Sequence, residues 1–286
     1  ITINSGGILN FDTTARTLTV NESGGAALIT VGAASGGSGE LECRAPSAGV
    51  HTIKLNSTTA DATVGIDVKS TGILDILGTS ASDQDCIITN GGVTLDGTRD
   101  GYIYLEDGSL TTIKYAEISY MGAAVTNKNG ITAYDVDGNI SGEGIFIEGS
   151  SIHNNLLGVL LSYSQYNILS NNTIYSNGSQ GVHIANSGAS HNLISNNIIY
   201  SNTNNGIYMN GDAYNMVIGN IFSANGVGVY FYGSSPDNNY FYNNTFYNNT
   251  SYGIWISNVA HDNNVIKNNI FARSSLGGTG ITDSGT

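Results

Sequence analysis

Apolar and polar positions alternate along this chain in short bursts, and no segment sustains a helical period. The clearest pattern lies in the second half. The stretch NILSNNTIYSN (Asn167 to Asn177) returns as NLISNNIIYSN from Asn192, NMVIGNIFSAN from Asn215, NYFYNNTFYNN from Asn239 and NVIKNNIFARS from Asn264. The steps between starts are 25, 23, 24 and 25 residues. A second anchor keeps the same beat: Gly158, Gly181, Gly206, Gly228 and Gly253 each precede an apolar–variable–apolar triplet. Alternation over three or four residues marks a strand with one buried face. Asn and Gly between the bursts mark turns. Each repeat therefore predicts about three short strands.

A repeat of this length with three strands fits one coil of a β-helix. It lacks the Leu-x-x-Leu-x-Leu frame of a leucine-rich repeat and is too short for a propeller blade. Stacking the coils about 4.8 Å apart in parallel aligns equivalent residues into columns. Ile174, Ile199, Phe222, Phe246 and Phe271 form one predicted buried column, and Leu169, Ile194, Val217, Phe241 and Ile266 another. Asn172, Asn197, Asn220, Asn244 and Asn269 form an Asn ladder whose amides can bond from coil to coil. The first half follows the same logic less regularly, with strands expected at Thr17–Val20, Thr52–Leu55, Tyr102–Leu105 and Gly144–Ile147, and a bulging loop around Ala123–Asn139. The expected architecture is all-β: a single-stranded right-handed parallel β-helix of about 10–12 coils of roughly 24 residues. One domain spans 1–286, with irregular coils over 1–149 and Asn-rich regular coils over 150–286.

Composition sharpens this picture. The chain holds 38 Gly and 36 Asn, and only 11% of its residues are charged, yet 40% are hydrophobic, enough to build a core. The net charge of −13 disfavours a nucleic-acid partner. It is unevenly spread: residues 1–148 hold 18 acids and 7 bases, residues 149–286 only 4 and 2. No apolar run is long enough for a membrane span. Eight Asn-x-Ser/Thr triplets, at Asn21, Asn56, Asn139, Asn171, Asn177, Asn243, Asn248 and Asn249, suit an extracellular chain, although an Asn-rich sequence generates many by chance.

The repeated Asn-x-Ile and Gly-Ile-x-Ile pattern from Ser150 to about Phe271 resembles the right-handed parallel β-helix repeats of the pectin-lyase-like superfamily. The resemblance implies the fold. It leaves function open among polysaccharide lyases, hydrolases, uronate epimerases, tailspikes, adhesins and other surface proteins. The Asn-Thr-Asp, Asp-Asp and Gly-His-Gly stretches of polygalacturonase-like members are absent, as is the Asp-Pro-His-Glu of epimerase-like ones. Lys267 and Arg273 are the only bases of the regular half, which offers little to an anionic polyuronate. No catalytic residue is assigned, and the balance leans away from an enzyme.

Three constellations could carry a contact. The outward row Leu160, His183, Tyr208, Tyr230, Trp255 forms an aromatic ladder, which fits a plain sheet-stabilising stack, a subunit interface or a sugar-stacking surface. Asp135, Asp137 and Asn139, followed by Ser141 and Glu143, resemble the start of a calcium loop without its twelfth-position Glu; a structural calcium or a plain polar turn both fit. Asp212, Asp237 and Asp262 fall in equivalent turns near His191 and His261 and read as turn caps, or as stacked carboxylates for calcium or acid–base work. Cys43 and Cys86 are buried thiols or a disulfide; at 24 residues per coil their spacing of 43 is near two coils, so a bridge would need shorter early coils. The chain starts on Ile1, as a processed chain or a segment of a larger protein would, and shows no capping segment. Open strand edges suggest self-association, possible end to end. The function expected is a secreted structural or surface β-helix forming a filament, sheath or fibre, with a polysaccharide-active enzyme or a glycan-binding adhesin as alternatives.

Overall fold

A chain whose alternation repeats every coil can satisfy its strand edges only by stacking on itself, and it does so here as three parallel sheets. The structure is a computed structural model. It describes residues 1–4, 6–11, 14–21, 27–32, 38–56, 64–90, 101–138, 144–211, 213–233, 236–257, 263–272 and 279–283. Sheet A has eleven strands, from Thr2–Ile3 to Thr279–Asp283; sheet B has ten, from Ile8–Phe11 to Val265–Lys267; sheet C has ten, from Thr17–Asn21 to Ile270–Ala272. Successive strands fall in A, B and C in turn, and every sheet neighbour lies three strands away in sequence and parallel. The result is a right-handed parallel β-helix of ten full coils and one further strand, within the expected range.

The predicted columns are in register. Ile174 pairs with Ile199, Ile199 with Phe222, Phe222 with Phe246 and Phe246 with Phe271. The last three rings stack face to face at 4.9 and 4.8 Å. The Gly column makes room for them. A Cβ on Gly228 would lie 2.7 Å from the Phe246 ring and 2.4 Å from the carbonyl oxygen of Gly253, so only glycine fits between ring and backbone.

The corners show why Asn dominates. Each coil of the regular half turns three times, and each turn uses one residue in the left-handed region followed by an inward Asn. At the A–B corner the left-handed residues are Tyr166, His191, Tyr214, Asn238 and Asn263, at φ of 52–57°. Asn171, Asn196, Gly219, Asn243 and Asn268 serve the B–C corner, and Ser176, Ser201, Ala224 and Asn248 the C–A corner. The inward Asn residues build three ladders, two more than the one singled out from sequence. Asn220 shows the bonding. Its Nδ2 donates to the Ile194 carbonyl at 2.8 Å and to Asn244 Oδ1 at 3.1 Å, while its Oδ1 accepts from the Asn197 N–H and Nδ2 at 2.8 and 3.0 Å. A buried amide thereby meets its donors and acceptors within the wall.

The first half differs from expectation in coil length. Val31 pairs with Val68 and Val68 with Leu105, 37 positions on each time, and Thr17 pairs with Thr52, 35 on. These coils are longer than 24 residues because strands and turns both grow: Glu40–Arg44 and His51–Asn56 hold five and six residues where Leu193–Ser195 and Ile198–Tyr200 hold three each. The four strands read from sequence are present at Thr17–Asn21, His51–Asn56, Tyr102–Glu106 and Ile145–Glu148. The loop expected over Ala123–Asn139 is shorter: Ile131–Tyr134 is a strand of sheet A, its Ile131 and Ala133 buried in the core. Ala123 and Val125 pack on Tyr102 over the outer face of that sheet.

Candidate functional site

With the interior filled by side chains, any contact surface must lie on the outer faces or corners. On sheet A the outward row runs in register through Asp67, Tyr104, Thr132, Leu160, His183, Tyr208, Tyr230 and Trp255. At its start Lys69 binds both Asp67 (2.8 Å) and Glu106 (2.6 Å). Toward its end the aromatic ladder read from sequence is present. Tyr230 and Trp255 stack at 4.3 Å with planes 9° apart. Tyr208 tilts by 49° from Tyr230 and His183 by 57° from Tyr208. In the stacked pair each ring covers one face of the other. Burial pushes the Tyr208 hydroxyl up to about 12 and the His183 imidazole down to about 4. Burial thus favours the neutral form of His183 within the packed row.

Of the expected calcium loop, Asp135 and Asp137 lie among the described residues. Asp135 sits at a left-handed corner (φ 57°) and is exposed; Asp137 is held by a parallel bridge to Gln165. Burial and then the neighbouring Asp135 and Asp107 charges raise the Asp137 pKa. Asn139, Ser141 and Glu143 lie outside the described residues. The acids that do converge are Glu40, Glu42 and Asp75 on the outer face of sheet B, with ligand atoms within 4.8 Å of one another. Glu42 is ion-paired to Arg44. Their sequence spacing gave no warning, because Glu42 meets Asp75 only through the strand register.

Of the turn acids and histidines, Asp212, His261 and Asp262 lie outside the described residues. His191 stacks between Tyr166 (4.8 Å) and Tyr214 (5.2 Å) at the A–B corner. An open cleft beside it is lined by Tyr214, Asp237 and Asn238 among others. Tyr166, His191, Tyr214 and Asn238 share one corner position, and Asp237 directly precedes the last of them.

Two features escaped the sequence reading. On sheet C, Glu117 Oε1 lies 3.4 Å from His153 Nε2 and accepts from Ser119 Oγ at 2.9 Å, and His153 stacks on Tyr175 and Tyr175 on Tyr200. Burial alone would lower the His153 pKa, but bonds to Glu117 and Asn154 outweigh it and raise it; the His153 bond in turn lowers Glu117. The second is an apolar stripe on the same sheet. Thr173, Ile198, Ile221, Thr245 and Ile270 stack in one outward column, with Ile198, Ile221 and Ile270 exposed at 43, 42 and 61%. Its sequence signal is the Ile that directly follows three of the five ladder Asn residues, Asn197, Asn220 and Asn269.

The cysteines also need correction. Cys43 lies in the sheet B strand Glu40–Arg44 and Cys86 opens the sheet C strand Cys86–Thr89. His51, one coil-mate of Cys43, pairs with Cys86. The two cysteines are therefore on adjacent coils, not two apart. Longer early coils, rather than shorter ones, bring this about.

The model of the family described as a right handed beta helix region matches residues 158–286. No curated protein matches the sequence. Among solved structures, the Geobacillus virus E2 ORF18 protein aligns at 15% identity and TM-score 0.54, covering 89% of this chain and 54% of that one. The A-module of Azotobacter vinelandii mannuronan C-5 epimerase AlgE4 aligns at 15% identity and TM-score 0.48, over 98% and 90%. The Dettilon tailspike protein aligns at 16% and 0.48, over 96% and 62%. At 15% identity the likeness to the ORF18 protein speaks to fold alone. Sheet order, corner chemistry and the match over residues 158–286 agree on the fold: the chain is a right-handed parallel β-helix.

Proposed function

We propose that this chain is a structural protein of an extracellular surface, which associates with further copies of itself through the outer face of sheet C. The observation that carries this reading is the exposed Ile198–Ile221–Ile270 column. Exposed apolar rows of this kind mark contact surfaces. It lies in the half with 4 acids and 2 bases, whereas the other half holds 18 and 7. Copies carrying a net charge of −13 repel one another except where charge is sparse. A neutral, flat, apolar face is where two copies can meet, and a two-fold arrangement would set Ile198 of each against Ile270 of the other.

Sedimentation velocity across a concentration series tests this. The expected result is mass-action association that strengthens with added salt and weakens in Ile221→Thr/Ile270→Thr. A single monomeric species at every concentration and salt level would overturn it. A second reading, contact with neutral polysaccharide along sheet A, is favoured by the tilted Tyr208 and half-buried Trp255. Trp255 is the only tryptophan, so its fluorescence reports on that face alone. A saturable change with neutral oligosaccharides would support that reading; an unchanged spectrum would remove it.

A further inference from the structure

We propose that Cys43 and Cys86 form an intrachain disulfide that ties the second coil to the third inside the solenoid. Both side chains are buried, at 1% and 0% exposure, and both flank the same B–C corner, Cys43 just before it and Cys86 just after it one coil on. The Cys86 thiol donates to the carbonyl oxygen of Cys43 at 3.1 Å. A hydrogen bond between the two thiols, with burial second, raises the Cys43 pKa. The Cys86 thiol thus already lies against Cys43, and closing the bond asks for side-chain rotation within a corner whose backbone is fixed by sheet pairing on both sides.

The position gives the bond a purpose. From Asn167 onward the coils are clamped by buried amide ladders. The coils around Cys43 have no comparable ladder among the described residues, and their coil spacing of 35–37 residues leaves long turns to be ordered. A covalent link closing 43 residues does there what stacked amides do further on. The chemistry requires a disulfide oxidant. One cysteine thiolate attacks a sulfur of that oxidant and releases one reduced thiol. The second cysteine thiolate then attacks the mixed disulfide and releases the other. Two protons and two electrons leave the protein, and one S–S bond forms. Because both thiols are buried in the folded chain, exchange takes place before the third coil closes over the second.

The experiment is refolding of the full chain from denaturant with glutathione disulfide, followed by alkylation under denaturing conditions and mass spectrometry. The expected product is a natively folded chain with no alkylated cysteine, a mass lower by two hydrogens and one cross-linked peptide pair within the chain. Reduction should restore two alkylation sites and lower the melting temperature by several degrees. The single variants Cys43→Ala and Cys86→Ala separate cross-link from packing: oxidant should raise the melting temperature of the parent and of neither variant. Two alkylated cysteines in natively folded, oxidatively refolded protein would overturn the proposal. So would inter-chain dimers in place of the internal link, or an equal response of the single variants. None of these outcomes depends on whether copies associate through sheet C.

Discussion

The two halves of this solenoid solve one problem, holding each coil to the next, with different chemistry. In the regular half the polar clamp is internal and neutral. Asn167, Asn172 and Asn177 each donate to the next ladder Asn and to a backbone carbonyl, and the pattern repeats coil after coil. In the irregular half the described residues carry no such continuous ladder, and exposed or half-exposed links join coils instead, charged in Lys69–Glu106 and Lys114–Glu148 and neutral in Asn56–Asn21. An exposed ion pair contributes about 0–1 kcal/mol because water and salt compete for both partners. A buried amide is held more firmly, since breaking its bonds leaves unsatisfied groups costing about 1–3 kcal/mol each. The ladder also fixes coil length, because each Asn must meet its successor. Without it the early coils were free to lengthen their turns.

The largest expected effect that would break this contrast is at the ladder. Asn220→Leu strands the Ile194 carbonyl and the Asn197 amide and should cost about 3–5 kcal/mol in chemical denaturation, from two or more unmet buried groups. The matching change in the other half, Asn56→Ala, removes an exposed bond to Asn21 and should cost under about 0.5 kcal/mol. Comparable losses at the two sites would end the distinction.

Next comes pH. His183 has a lowered folded pKa of about 4 against 6.5 when unfolded. Its neutral form is favoured by the fold, so stability is complete above about 6.5 and falls as pH drops toward 4, by about 3 kcal/mol at 1.36 kcal/mol per pKa unit. Thermal melts of parent and His183→Leu between pH 7 and 4.5 should diverge on the acid side, with the variant losing less. Parallel curves would refute a buried neutral imidazole.

Gly228→Ala should cost about 1–3 kcal/mol, because the added methyl meets the Phe246 ring and the Gly253 carbonyl and the packed column cannot yield freely. The smallest effect is at Glu117→Gln. His153 is raised and Glu117 lowered, so their mutual stabilisation is present above the unfolded Glu value and fades as pH rises through the folded His153 pKa. The variant should lose about 1 kcal/mol near pH 5.5 and little at pH 8.5, read by denaturant titration at both values. It sharpens the comparison by measuring one charged link where the ladders begin.

What was legible in the sequence was whatever repeats with the coil. The strand triplets, the two buried columns, the Asn172–Asn269 ladder and the row ending in Trp255 all recur at a nearly constant step, so one-dimensional spacing reports three-dimensional stacking. The other two ladders were also present, in the Asn residues that open and close the repeated string. They went unclaimed because the inward turn of both neighbours at a corner is a property of left-handed φ, which no single residue type reveals when Tyr166, His191 and Ser176 share it with Asn171. The exposed Ile column was hidden because an apolar residue in a strand is read as inward until the face is known.

The sequence by itself determined the solenoid, its period and its interior in the regular half, because there every coil imposes the same hydrogen-bond and packing demand and answers it with the same residues. Only the tertiary structure decided the contacts of the first half: Cys43 beside Cys86, Glu42 beside Asp75 and Glu117 beside His153. Each of these pairs depends on how many residues the intervening turn consumes. Turn length carries no periodic signal, since a turn that grows by several residues leaves the strands it joins in the same register.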